Sequence, residues 1–333
     1  MIQTEGFKYL GVYITRDPDI AKSRNLMPVL DQMVADMCFW EPLPLSLLGR
    51  AAIFKMVCLP RLLYQLQNFP FPIAAVYFST IETHLRGFLW QHGVVRIALT
   101  KCYKSTFDGG IALPDILAYY RAAQLVVLNE WWFGGARDPA YASEFWAMGD
   151  TSIQQILYGT IVPSELPPAA RTVFAVWRST LRSIKWHGKL TEESPLWEGT
   201  MMPQVAGLRG FRRWDLIGIS KIGHVTQNGI FKSFTDLSSE YGLHRSQFCK
   251  YLQLRHAITP YLAAQIDLPE HNPLEAKVLL THIKAHKISH IYKTLVIHTP
   301  TLLHLLNSHG WLTYQTLPLM TGRRPLCPPG AQL

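Results

Sequence analysis

Residues 45–67 read Leu-Ser-Leu-Leu-Gly-Arg-Ala-Ala-Ile-Phe-Lys-Met-Val-Cys-Leu-Pro-Arg-Leu-Leu-Tyr-Gln-Leu-Gln. Leu47, Leu48, Ile53, Phe54, Val57, Leu62 and Leu63 recur at helical spacing, with Arg50 and Arg61 off that face. Pro60 lies inside the pattern, which predicts a helix kinked or split there. Upstream, Leu26, Val29, Leu30, Met33, Met37 and Trp40 predict an amphipathic helix over 22–40, broken by Pro42 and Pro44. Downstream, Asn68-Phe-Pro-Phe-Pro72 is a turn, and 74–91 is helical again. These segments define a mainly α chain built around a helical bundle.

Only the amino-terminal edge departs from this pattern. Residues 7–15 alternate and are rich in aromatic and β-branched types, which predicts one or two short strands. A lone hairpin is marginal in water, so this edge reads as the margin of something larger. Asp108-Gly-Gly-Ile-Ala-Leu-Pro-Asp115 is a loop leading into a helix over 116–132. The second half predicts helices at 168–186, 245–258 and 274–297, with a Gly-rich basic stretch at 207–232. After about residue 300 the helical period stops, and Pro325, Pro328, Pro329 and Gly330 end the chain.

The chain has 333 residues, 48% hydrophobic and 17% charged, which excludes wholesale disorder. Its length suits two domains, or one large one with appendages. Five cysteines (38, 58, 102, 249 and 327) are scattered and never closely spaced. That excludes a disulfide framework and the common zinc-finger spacings, and it points to a reducing compartment. Met1-Ile2-Gln3-Thr4-Glu5 lacks a signal-peptide pattern, and no run of about 18 apolar residues occurs. The expectation is a cytoplasmic or nuclear protein with no membrane partner.

The net charge of +9 is unevenly placed. Residues 1–150 hold 13 basic and 13 acidic side chains, whereas 151–333 hold 19 and 10. Residues 45–104 carry Arg50, Lys55, Arg61, Arg86, Arg96, Lys101 and Lys104 against Glu82 alone. Residues 105–150 then swing acidic, two bases against six acids. Such blocks suit local binding surfaces, as well as ordinary solvated helix faces.

Four features could carry chemistry. Arg171, Arg178, Arg182, Lys185 and Lys189 fall within an arc of about 60° on the expected 168–186 helix, opposite Val173, Val176, Trp177, Leu181 and Ile184. A stripe of this kind can track phosphates, or simply face solvent. His282, His286 and His290 follow at i, i+4 and i+8 on the expected 274–297 helix, a weak pattern for a metal ion. No His-Glu-x-x-His and no nearby cysteine completes it. The paired glycines at 109–110 read as a turn that only glycine makes, rather than a phosphate cradle. Asp17 and Asp19 flank a proline; they read as a helix cap, with a metal pair as the alternative. No Gly-x-Ser-x-Gly, Cys/His pairing or adjacent Asp-Asp occurs, so no catalytic residue is assigned.

Several segments, taken in order, resemble the LINE-type non-LTR retrotransposon reverse transcriptases. Phe7-Lys-Tyr-Leu-Gly11 followed by Val-Tyr-Ile-Thr is similar to the end of that family's polymerase palm. Leu48-Gly-Arg50, Lys55-Met56, Leu59-Pro60, Leu63-Tyr64 and Phe88-Leu89-Trp90 resemble its thumb. Gly109-Gly110-Ile-Ala-Leu-Pro114-Asp115, Tyr119-Tyr120 and Ala122-Ala123 resemble the segment after the thumb. Tyr251-Leu-Gln-Leu-Arg255-His256 and Ile288-Ser-His-Ile-Tyr292-Lys293 resemble the region before the carboxyl-terminal domain. The match covers roughly residues 6–298.

The resemblance implies a carboxyl-terminal fragment. Residues 1–20 are the palm-end β remnant, 21–105 a thumb-like helical bundle and 106–150 a post-thumb connector. Residues 151–300 are a basic helical region, and 301–333 a divergent, poorly ordered tail. The family's endonuclease, fingers, Tyr-x-Asp-Asp palm motif and Cys/His knuckle have no counterpart in this sequence. Nucleotidyl transfer needs carboxylates that hold two metal ions, so the expectation is no polymerase activity and no cofactor. The family's thumb holds template–primer. Carried over, Arg50, Lys55, Arg61, Arg86, Arg96, Lys101 and Lys104 become phosphate contacts, and Phe7, Lys8, Tyr9, Leu10 and Gly11 become primer-grip-like. The expected ligand is RNA or an RNA–DNA hybrid bound without base specificity, and the missing polymerase portion is a further partner in trans. Five neutralised phosphates give a log–log salt slope of about −3.5 to −4.5. A helical protein-interaction module, a remnant without function and a histidine metal site are the alternatives.

Overall fold

The computed structural model describes residues 6–69, 71–134, 153–159, 164–197, 201–264, 268–285 and 287–298. The expected tail at 301–333 lies outside them. The fold is mainly α, as the patterning predicts, with two short antiparallel hairpins; the first lies in the expected 7–15 stretch, and the second, at 226–231, falls in the stretch read only as Gly-rich and basic. No helix among the described residues is long and apolar enough to cross a membrane. The chain divides into two compact units, Met1–Ala123 with Leu295–Leu333, and Gln124–Thr294.

The first unit begins with β1 (Phe7–Tyr9) and β2 (Val12–Ile14), in the register Phe7↔Ile14, Lys8↔Tyr13 and Tyr9↔Val12. Leu10 and Gly11 make the two-residue turn, both at positive φ (+45° and +84°). Positive φ at both positions is what a right-twisted hairpin of this length demands. Helix α1 (Pro18–Ala21) is capped by Asp17, whose Oδ1 accepts from Asp19 N (2.8 Å) and Ile20 N (3.2 Å). Asp19 pairs with Lys22 at 3.1 Å. The capping reading of Asp17 describes this corner.

A π-turn (Lys22–Leu26) then leads into α2 (Met27–Trp40), and α3 (Leu47–Ile53) runs through a second π-turn (Phe54–Cys58) into α4 (Leu59–Asn68). Each π-turn ends two residues before a proline, Pro28 or Pro60. A proline lacks the N–H and pushes on the carbonyl four residues back. Widening to i→i+5 bonds (Met27 N to Lys22 O and Leu59 N to Phe54 O) relieves both conflicts. The expected break at Pro60 is therefore a local unwinding of a helix that continues.

With α5 (Ala75–Trp90), these helices form the bundle. Phe54, Cys58, Leu62 and Leu66 recur every four residues and are buried on segments that pack against α2 with its Leu30, Met33 and Met37, while α5, with buried Phe78, Ile81, Leu85 and Phe88, packs against α2 and α3. Each such side chain contributes about 1.5–3 kcal/mol of burial. Short α6 (Leu99–Cys102) precedes the glycine loop. Gly109 has φ +76°, and a Cβ on Gly110 would lie 2.1 Å from Lys104 O, so the turn does need glycine. Helix α7 (Ile116–Gly134) follows, and the boundary between the units falls inside it.

The second unit contains α8 (Ile153–Leu157), α9 (Pro168–Ser183), α10 (Pro203–Ala206), α11 (Arg212–Leu216) and α12 (Ile222–Val225). After them come β3 (Thr226–Gln227), β4 (Ile230–Phe231) and α13 (Phe234–Tyr241). A 3₁₀ turn (Arg245–Gln247) starts α14 (Phe248–Ala263), and α15 (Pro273–Val278) and α16 (Lys287–His298), whose residues from Leu295 belong to the first unit, end the described chain. Its core surrounds Trp214, Ile222, Val225, Leu237, Leu254 and Ile258, all with no exposed surface.

Two expected helices are corrected. The one over 168–186 ends at Ser183 in a Schellman turn, with Trp186 N bonded to Leu181 O at 2.8 Å, Lys185 N to Arg182 O at 3.0 Å, and Lys185 at φ +60°. The one over 274–297 is two helices, α15 and α16. Asn129 Nδ2 takes Val278 O (2.7 Å) and Thr281 O (2.9 Å), and Thr281 Oγ1 takes Ala276 O (2.8 Å). The carbonyls that would carry the helix onward are thus bonded to side chains.

Candidate nucleic-acid interface

The hairpin sits over the start of the bundle, held by three side chains. Asn25, buried in the first π-turn, accepts from Tyr13 N (2.7 Å) and donates to Tyr13 O (2.9 Å). Tyr64 OH donates to Leu10 O, and Gln65 Nε2 donates to Gly11 O at 3.4 Å. Beneath it lies a cleft of about 410 Å³ lined by Lys8, Tyr13, Arg24, Gln32, Arg61 and Gln65, with the Gly11 backbone, Asn25, Pro28 and Val29. Arg24 lies 5.8 Å over the Tyr13 ring. Arg61 is paired with Asp36 at 2.5 Å. Lys8 and Arg24 have no carboxylate partner among the described residues. Gln65 Oε1 is buried without a hydrogen-bond partner. Two cations without a described carboxylate partner and a partly neutralised third form a wall suited to a phosphate backbone.

The cleft unites three expected residues, Lys8, Gly11 and Arg61, with Arg24, Asn25 and Gln65, which sequence reasoning missed. Arg24 and Asn25 belong to the polar run Lys22-Ser-Arg-Asn25 inside an apolar helical pattern. That interruption was the available signal. Phe7, Tyr9 and Leu10 are exposed on the hairpin.

Arg50 requires correction as a phosphate contact. It is 1% exposed, and its guanidinium donates to Glu41 O (3.0 Å), Leu43 O (3.0 Å) and Phe88 O (3.3 Å) while lying 5.2 Å over the Phe88 ring. It ties the α2–α3 connection to the last turn of α5 inside the bundle instead of meeting solvent. Lys55 is half-buried and donates to Ile111 O at 3.3 Å. Arg86 faces Glu82 at 3.8 Å, and Arg96, Lys101 and Lys104 are exposed.

The basic stripe is also corrected. Arg178 is 6% exposed and donates to Ile156 O at 2.8 Å, with Nε unpartnered. Burial, and then neighbouring Arg182, lower its pKa to about 10. Arg171 and Arg182 are exposed on α9, whereas Lys185 and Lys189 lie beyond its end, Lys189 5.2 Å over Trp186. The helical arc of five cations does not form. The histidine spacing dissolves with its helix: His282 stacks on Phe133 at 4.9 Å before α16, His290 is exposed on α16, and His286 lies outside the described residues. A second cleft of about 450 Å³, in the other unit, is lined by Glu192, Asp236 and Glu240 against Lys232 alone, a balance that repels phosphate.

No family model matches the chain.

Proposed function

We propose that the chain is a non-catalytic, reverse-transcriptase-like segment that holds an RNA or hybrid backbone without reading bases. The observation that carries this reading is the cleft beneath the hairpin turn, where Lys8 and Arg24, without a carboxylate partner among the described residues, stand beside Arg61. Contacts of this type fix register and release counterions, but carry no sequence information. The resemblance suggests the template–primer class, and the cationic lining of the cleft supports it. Anisotropy of a labelled RNA–DNA hybrid with the full chain, at several salt concentrations, tests it. The reading expects binding that weakens with salt and is reduced by Lys8→Ala and Arg24→Ala. Salt-insensitive association, or none, is the contrary result.

A second reading, a protein-docking module, is favoured by exposed Phe7, Tyr9, Leu10, Met56, Val94 and Phe107. Salt-independent self-association would support it.

A further inference from the structure

Three arginines are buried among the described residues, Arg50, Arg121 and Arg178. Two of them have their charge compensated. Arg50 donates to three carbonyls and lies over the Phe88 ring. Arg121 has the Asp115 carboxylate beside it. Arg178, on α9, differs. Its guanidinium makes one hydrogen bond among the described residues, from Nη2 to Ile156 O of α8 at 2.8 Å. Its Nε is buried with no acceptor. The charge acting on it is a second cation, Arg182, one helical turn along the same face. His187, just past the Schellman turn, is exposed and close enough to feel both arginines. A pKa of about 10 still leaves Arg178 protonated at neutral pH. Burying a cation is costly unless an anion compensates it. One carbonyl accounts for where the side chain lies but leaves its charge unmatched.

We propose that Arg178, Arg182 and His187 form a receptor for a small tetrahedral oxyanion, a phosphate or a phosphate monoester. The site belongs to the second unit and is independent of the nucleic-acid reading above. Arg178 is its floor and brings an unused N–H donor. Arg182 and His187 are its exposed rim, so the arginine face of α9 runs from the interior to solvent. Arg178 is 6% exposed, so a nucleic-acid backbone cannot track across it, whereas a compact ion can close over it. Guanidinium groups bind phosphate through paired N–H donors. A phosphate carries about −1.5 to −2 charges at pH 7, which matches two arginines. Its oxygens also serve donors on three side chains, whereas a carboxylate has only two, in one plane.

The test uses the full chain and inorganic phosphate, titrated calorimetrically in chloride buffer at constant ionic strength. One phosphate is expected to bind per chain. Arg178→Met keeps an apolar stem and removes the charge, and should weaken binding at least about tenfold. Arg182→Gln should weaken it about three- to tenfold; being a surface change, it keeps the test open should Arg178→Met melt far below the parent. Phenyl phosphate separates the two sources of the ligand. Binding as tight as that of phosphate supports a monoester carried by a larger molecule, and binding of phosphate alone supports the free ion. Three results overturn the proposal: no heat with the folded parent, phosphate affinity unchanged in either variant, or acetate bound as tightly as phosphate. None of them bears on hybrid binding at Lys8 and Arg24.

Discussion

The side-chain amide of Asn25 pairs with the backbone of Tyr13 as a neighbouring strand would, accepting its N–H at 2.7 Å and donating to its C=O at 2.9 Å. The two-residue turn makes Tyr9 and Val12 a hydrogen-bonded pair, so the polar groups of Lys8 and Tyr13 point outward from the ribbon. Asn25 thus closes the β2 edge, and its burial makes it a poor candidate for replacement.

Asn25→Ala should destabilise the first unit by about 1–3 kcal/mol, because the Tyr13 N–H and C=O both lose the Asn25 amide. Asn25→Asp keeps the acceptor but sets a carboxylate oxygen against Tyr13 O, and should cost at least as much. Hydrogen exchange at the Tyr13 amide checks this: it should accelerate in both variants. Unchanged protection would mean that the hairpin is held by its turn alone.

Arg50→Met should cost on the order of 3 kcal/mol, since three carbonyls lose their charged donor. The salt slope of nucleic-acid binding should not change. Chemical denaturation and a salt titration of the same variant separate the two. A smaller slope with intact stability would return Arg50 to the surface role that its motif implies.

Leu10 occupies a positive-φ position that asparagine tolerates better. Leu10→Asn, giving Asn-Gly at the turn, should stabilise the hairpin by about 0.5–1 kcal/mol. A melting temperature at or below the parent's would contradict the turn geometry.

His224 Nδ1 accepts from Ser220 N (3.1 Å) and Lys221 N (3.4 Å). Burial first, and then Lys221, lower its pKa from the ordinary 6.5. The unfolded chain therefore binds this proton more readily, so stability should be lost as pH falls from about 6.5 through the lower folded value. His224→Asn offers an acceptor that does not titrate. Melting curves at pH 7.5 and 5 should show a smaller acid loss in that variant than in the parent; an equal loss would remove His224 from the account.

Much of the bundle was legible because its signal is local. Of the apolar positions read on 45–67, Phe54 and Leu62 are buried and Leu48 is exposed, while Cys58 and Leu66 complete the four-residue spacing through the π-turn, and Pro60 marks where the ladder yields. The glycine turn at 109–110 could be read from residue type alone. The misreadings share a cause in distant side chains. Asn129 ends α15 from 149 residues away, which dismantled the histidine spacing. Arg50 and Arg178 were given to solvent because charged residues are rarely buried. Only the carbonyls around them, at Glu41, Leu43, Phe88 and Ile156, account for their placement. The cleft was half legible: Lys8, Gly11 and Arg61 could be assigned in sequence, but Arg24 and Gln65 join them only once the hairpin folds over the π-turn.

The salt dependence of RNA–DNA hybrid binding tests the central claim most directly. With Lys8, Arg24 and Arg61 as the contacts, the log–log slope should be about −2 to −3, shallower than seven surface cations in the thumb-like segment would give. Arg24→Ala should reduce its magnitude by about 1, and Arg50→Met should leave it unchanged. A slope near zero, or one insensitive to Arg24, would contradict a nucleic-acid backbone in this cleft.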